Sequence, residues 1–240
     1  MDALLLSRLQ FVWVIAWHIL LPAFTVGLAY PSPYGAAMSS LGYQRIYRAI
    51  QETSGMACER IVLDDEAEKE LADQGMPISY ESHRPLGDFP VIAFSVAYEL
   101  EIVGMIQMMR KAGIPPLRRE REGKKHPFVI AGGPLTFSNP LPIAPFVDAI
   151  LVGEAEEITV EVLRVLEEGM PYDRTIAALA KIPHVFVPEI HGEVLPEVAK
   201  ADVALLPAWA PIRTPHAVLS NMFLIETERG CSRRCTYCVM

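Results

Sequence analysis

Cysteine is scarce: the chain has four in 240 residues, and three of them fall within eight positions near its end. That distribution excludes a secreted disulfide framework, since a cluster of three leaves one thiol over whichever two join. Crowded thiols suit metal binding in a reducing compartment, which makes the cytoplasm the expected location. Positive charge is also short. The net charge of -8 argues against a broad nucleic-acid surface, so nucleic acid is not expected as a partner. One basic stretch, RKAGIPPLRREREGKKH from Arg110 to His126, is broken by glutamates and prolines and reads as a solvated helix end and loop. Disorder is not expected either, at 51% hydrophobic and 21% charged residues.

Long apolar runs are missing except for one. FVWVIAWHILLPAFTVGLA, Phe11 to Ala29, carries no Asp, Glu, Lys or Arg and has about the ~20 residues that span a bilayer. Two readings stay open for it. One is a membrane helix, with Arg45, Arg48 and Arg60 favouring a cytoplasmic C-terminal side and the membrane as a partner through residues 11–29. The other is a buried helix feeding a first strand, TVGLAY. Residues 1–29 resemble the N-terminus of subunit I of bd-type quinol oxidases, and the resemblance implies a haem-ligating role for His18. No second span follows, so the oxidase bundle cannot be built from this chain.

From Tyr30 onward, strand and helix signals alternate. LGYQRIYRAIQE has helical spacing at Leu41, Ile46, Tyr47 and Ile50, and ACERIVL reads as a strand. DDEAEKELADQG reads as an acidic helix closed by Gly75, and FPVIAFSV as a strand covered on both faces. ELEIVGMIQMMRKAG is expected as a helix with Leu100, Val103, Ile106 and Met109 or Arg110 inward and its methionines as core filler. FVIAGG, DAILVG and EAEEITVEVLRVLEEG repeat the unit, and HVFVPEIHGEVLP reads as a hairpin or connector. The expected fold class is α/β: a Rossmann-like parallel sheet with right-handed crossovers over residues 30–200. Residues 201–217, with Pro207, Pro211 and Pro215, read as a linker, and 218–240 as a new strand and the loop after it.

That loop is Cys231-Ser-Arg-Arg-Cys235-Thr-Tyr-Cys238, spaced C-x3-C-x2-C. Three thiolates on one tight loop can hold three irons of a cubane and leave the fourth open. A structural zinc knuckle would need a fourth ligand, and no Cys or His follows. The motif resembles the cluster loop that opens the barrel of radical S-adenosylmethionine (SAM) enzymes. The resemblance implies a [4Fe-4S] cluster on Cys231, Cys235 and Cys238, with SAM on its open iron and Tyr237 near the adenine. It further implies reductive cleavage to a 5′-deoxyadenosyl radical, with a reductant such as flavodoxin or ferredoxin and a small-molecule or other substrate that the residues do not identify. A full barrel runs roughly 200 residues or more beyond its first strand, so the chain is expected to hold only the barrel's start and not to turn over alone. Cys58 reads as a buried thiol.

FSVAYEL, VIAGGP and DAILVGEAEE resemble the Rossmann-like domain that precedes the barrel in cobalamin-dependent radical SAM enzymes. Ser95, Gly132, Gly133, Gly153 and Glu154 are then the expected cofactor-binding residues, the glycines allowing a ligand close to the backbone. Cobalamin is the implied cofactor and methyl transfer the implied reaction. One departure stands out: D-x-H-x-x-G is absent, for His83 in ESHRPLG follows a glutamate and its glycine comes one position late. A methylthiotransferase would need three further N-terminal cysteines, where only Cys58 stands. A non-catalytic, cobalamin-binding-like module remains the alternative from another class.

Overall fold

The computed structural model describes residues 24–64, 75–121, 126–230 and 233. Six strands form one sheet in the order β2-β1-β3-β4-β5-β6: β1 (Phe24–Tyr30), β2 (Met56–Val62), β3 (Val91–Ser95), β4 (Phe128–Gly132), β5 (Ala149–Leu151) and β6 (Val185–Phe186). The first five are parallel, and β6 runs antiparallel on β5. The fold is α/β and Rossmann-like with a mostly parallel sheet, as expected, and the segment read as a hairpin or connector supplies the antiparallel edge strand β6. There the chain returns from helix α4 (Tyr172–Leu179) straight onto β5, through Leu151 opposite Val185, without the crossover a parallel neighbour requires.

Both faces of the sheet are covered because successive side chains alternate between two cores. Leu28, Val91, Ala93, Ile130 and Leu151 enter one core, beneath helices α1 (Leu41–Gln51), α3 (Glu156–Glu167) and α4 (Tyr172–Leu179). Ile92, Phe94, Val129, Ala131 and Ile150 enter the other, beneath α2 (Glu101–Lys111). Helix α1 starts at Ser40, whose hydroxyl accepts from the Tyr43 amide at 3.3 Å, a side-chain N-cap.

Several expectations shift. The sheet begins at Phe24, so Phe24 to Ala29 belong to central strand β1 and not to a nineteen-residue helix. Residues 11–23, including His18, lie outside the described residues, as does 65–74 of the acidic segment. Among the described residues, no helix is long and apolar enough to cross a membrane. The inner face of α2 is Glu101, Gly104, Met105, Met108 and Met109, while Leu100 and Val103 are exposed. Burial of the Glu101 carboxylate sets that rotation, and the methionines do fill the core. Within the basic stretch, Arg121 is buried on Asp148, so that part is structural rather than solvated. The proline-rich 201–217 segment contributes β7 (Ala208–Trp209), which pairs antiparallel with β8 (Ile225–Glu226). In the structure, the strand expected in 218–240 is therefore half of a two-stranded ribbon.

Candidate functional site

The strand order reverses at β1: β2 lies to one side and β3 to the other. Helices α1 and α2 consequently leave for opposite faces, and a crevice opens at the carboxyl ends of the strands, where open α/β sheets bind ligands. Here the crevice has a volume of about 310 Å³ and is lined by β1, β3, β4 and β5, by the first turns of α1, and by Glu226 and Arg229. Ser95, Gly132, Gly133, Gly153 and Glu154 all line it, so the structure brings together five positions from three separate sequence segments.

Two of the glycines serve a different end from the expected one. Gly133 has φ +107°, and a Cβ there would stand 2.6 Å from the Val96 carbonyl oxygen. Gly153 has φ +105°, and its Cβ would stand 2.5 Å from the Ala199 nitrogen. Backbone packed on backbone, not a ligand, requires glycine at both. The Ala199 amide donates to the Val152 carbonyl at 2.8 Å, and the Glu154 amide donates back to Ala199 at 3.1 Å. A Cβ on Gly132 would meet only Leu151, at 3.7 Å and beyond, so this glycine alone leaves open space toward the crevice.

Behind the switch point, Glu101 ties the loops after β1 and β3 together. Its carboxylate accepts from the Ser32 hydroxyl at 2.9 Å and from the Ala97 amide at 2.6 Å. Burial first, and then Glu101, push the Tyr30 phenol up to about 12. Close packing reinforces the tie: a Cβ on Gly104 would stand within 2.2 Å of the Pro31 oxygen.

The segment from Ala199 to Arg229 runs over the domain as a strap. Ile212 donates its amide to the Gln44 side chain at 2.9 Å, Val218 to the Gly35 carbonyl at 3.0 Å, and Leu219 to the Ser39 hydroxyl at 3.0 Å. Arg48 lies 4.5 Å from the Trp209 ring centroid, a cation–π contact. The strap ends at Arg229, whose guanidinium donates to Glu154 at 3.4 Å, to Glu226 at 2.9 Å, and to Glu156. The bonds to Glu154 and Glu156 join residues 75 and 73 apart in sequence on the rim of the crevice, and Arg229 stands one residue before Gly230 and two before Cys231. Cys231, Cys235, Cys238 and Tyr237 themselves lie outside the described residues. Among the described residues, no group of three or more His, Cys, Asp and Glu stands in a metal-holding arrangement. Cys58 is buried, and burial raises its thiol pKa well above the usual range.

The fit of cobalamin can be read from this geometry. No histidine lines the crevice, and His83 lines a separate cavity with Val62, Asp64 and Tyr80 beside the end of β2. A corrin ring with its side chains and nucleotide tail is far larger than about 310 Å³. The described crevice alone does not enclose a whole cobalamin.

The residues missed from sequence are Arg45, Glu101, Glu156, Glu226 and Arg229. Arg45 lines the crevice, and its buried Nε has no hydrogen-bond partner among the described residues. Glu226 and Arg229 could have been suspected from IETERG, immediately before the cysteines; the others give no local signal.

Comparison with known proteins places these features. The chain is 24% identical over 159 residues to an uncharacterized protein of Methanocaldococcus jannaschii, a match covering 66% of this chain and 32% of the relative. The chain thus spans about a third of the curated relative that it matches. No solved structure matches. The family model described as radical SAM proteins, N-terminal, matches residues 42–188, from the first turn of α1 to just beyond β6. The sheet and its crevice therefore lie mostly within a known unit, and the chain belongs to the family of radical SAM proteins, N-terminal region.

Proposed function

We propose that this chain is the N-terminal part of a radical SAM enzyme, in which Cys231, Cys235 and Cys238 hold a [4Fe-4S] cluster that binds SAM. The observation that carries the reading is the C-x3-C-x2-C donor set beginning two residues after Arg229, whose guanidinium is fixed to the crevice rim by Glu154 and Glu156. Three soft thiolates at this spacing suit a cubane with one open iron. When bound, the reduced cluster supplies the electron that cleaves the SAM sulfonium. The chain's own residues then have distinct tasks. In this reading the three thiolates bind metal, Tyr237 contributes to the adenine's site, and Arg229 holds the loop's entry against the Rossmann-like domain. A flavodoxin- or ferredoxin-like reductant is the electron source in this reading. This reading does not depend on cobalamin.

Anaerobic reconstitution of the full chain with iron and sulfide tests the assignment. About four irons per chain are expected from the cluster type, along with a reduced paramagnetic signal that changes when SAM is added. Equal iron in the wild type and in the C231A/C235A/C238A variant refutes the cluster. A signal indifferent to SAM refutes the open iron.

A further inference from the structure

The crevice contains one cation that the fold does not use. Arg229 is occupied by three carboxylates, and Glu154 also accepts from the Ala201 amide at 2.7 Å. One guanidinium against three carboxylates leaves the rim formally negative, so Arg229 has no charge to offer a ligand. Arg45, in the second turn of α1, lines the same crevice, and its buried Nε has no acceptor among the described residues. No ion pair or side-chain hydrogen bond engages it there. A buried donor left open is costly for folding alone.

The surroundings define what could complete it. Leu28, Ile46, Ile130, Phe137 and Leu151 give the crevice apolar walls, and Gly132 leaves its floor open. The volume of about 310 Å³ lies at the lower end of small-molecule sites. Leu41 and Gly42, in the first turn of the eleven-residue α1, also line the crevice. The peptide dipoles at that end carry the same sign as Arg45 and favour negative charge.

We infer that the crevice binds a small organic anion: a compact apolar body between the walls, with one carboxylate, phosphate or sulfonate on Arg45. Binding there uses Arg45 and the crevice walls and does not require a cluster to be loaded.

Two dyes of nearly the same shape test this on the full apo chain. Anilinonaphthalene sulfonate carries an apolar body and one anionic group; phenylnaphthylamine is the same body without the sulfonate. The sulfonate should bind with one site per chain and raised fluorescence. Arg45→Gln should weaken it by about tenfold or more, as expected for a charge-assisted hydrogen bond, and leave the neutral dye within about twofold. Gly132→Val, which fills the floor where an added Cβ has room, should weaken both. Equal sulfonate affinity in the wild type and Arg45→Gln overturns the anion site, and unchanged binding of both dyes to Gly132→Val overturns the crevice as its location. If Arg45→Gln loses its cooperative melt, wild-type salt dependence decides. Added salt should weaken the sulfonate and not the neutral dye, and identical salt responses overturn the proposal.

Discussion

Replacing Arg229 by glutamine should release the strap without unfolding the sheet. The guanidinium is 15% exposed, and its partners Glu154, Glu156 and Glu226 are 22%, 10% and 33% exposed. Only the bonds to Glu154 and Glu156 cross from the strap to the domain, since Glu226 lies three residues away on the strap itself. One close charge-assisted bond and one long one are together worth about 2–3 kcal/mol, and the carboxylates left facing each other add to the loss. A total of about 3 kcal/mol corresponds to ~150-fold in the local opening equilibrium. Hydrogen exchange reads this directly, because the Ala210 amide donates to the Leu224 carbonyl at 3.0 Å within the ribbon and exchanges only when the ribbon opens. Its protection should fall by about two decades in Arg229→Gln, while amides in β1 and β3 keep theirs. Glu226→Gln, which removes only the local bond, should cost less than about 1 kcal/mol. Unchanged Ala210 protection in Arg229→Gln would show that the clasp does not hold the strap, and the positional argument for the cysteine loop would fall with it.

Gly153→Ala should cost about 2 kcal/mol or more, because it combines a positive φ with a backbone clash, whereas Gly132→Ala should be close to neutral; equal urea midpoints for the two variants would contradict the packing described. The Tyr30 phenol, raised to about 12 chiefly by burial, makes an alkaline prediction. An unfolded tyrosine ionises near pH ~10, so between about pH 10 and 12 the unfolded chain sheds this proton first, and stability falls as pH rises. Tyr30→Phe should have a flatter decline in urea midpoint over that window, and a slope identical to wild type would reject the assignment.

Much of the sheet was legible because strands buried on both faces write themselves as short apolar runs. VIAFS, FVIAG and AIL each carry their own signal, and glycine-bearing ends marked the edge where the crevice opens. The rotation of α2 was not legible. Apolar spacing pointed to Leu100 and Val103, but the helix turns to bury Glu101 against Ser32 and the Ala97 amide, and a buried acid resembles a surface one in sequence. Antiparallel β6 and the β7–β8 ribbon are two residues per strand, too short for any period to show. Arg229 was invisible for a different reason: its domain partners Glu154 and Glu156 sit 73–75 residues earlier, in a glutamate-rich helix start that reads as ordinary capping. Arg45 lay within an otherwise regular amphipathic helix and was noticed only for its charge.

The position of β1 governs how this unit can be joined to others. Phe24 pairs with Met56 at the amino end of the strand, while Tyr30 pairs with Val62 at the other, roughly 20 Å away at ~3.3 Å per residue. The chain therefore enters β1 at the end of the sheet opposite the crevice, and neither Phe24 nor Met56 lines it. Substitutions at that end test the sheet's stability without touching the entrance used by a ligand.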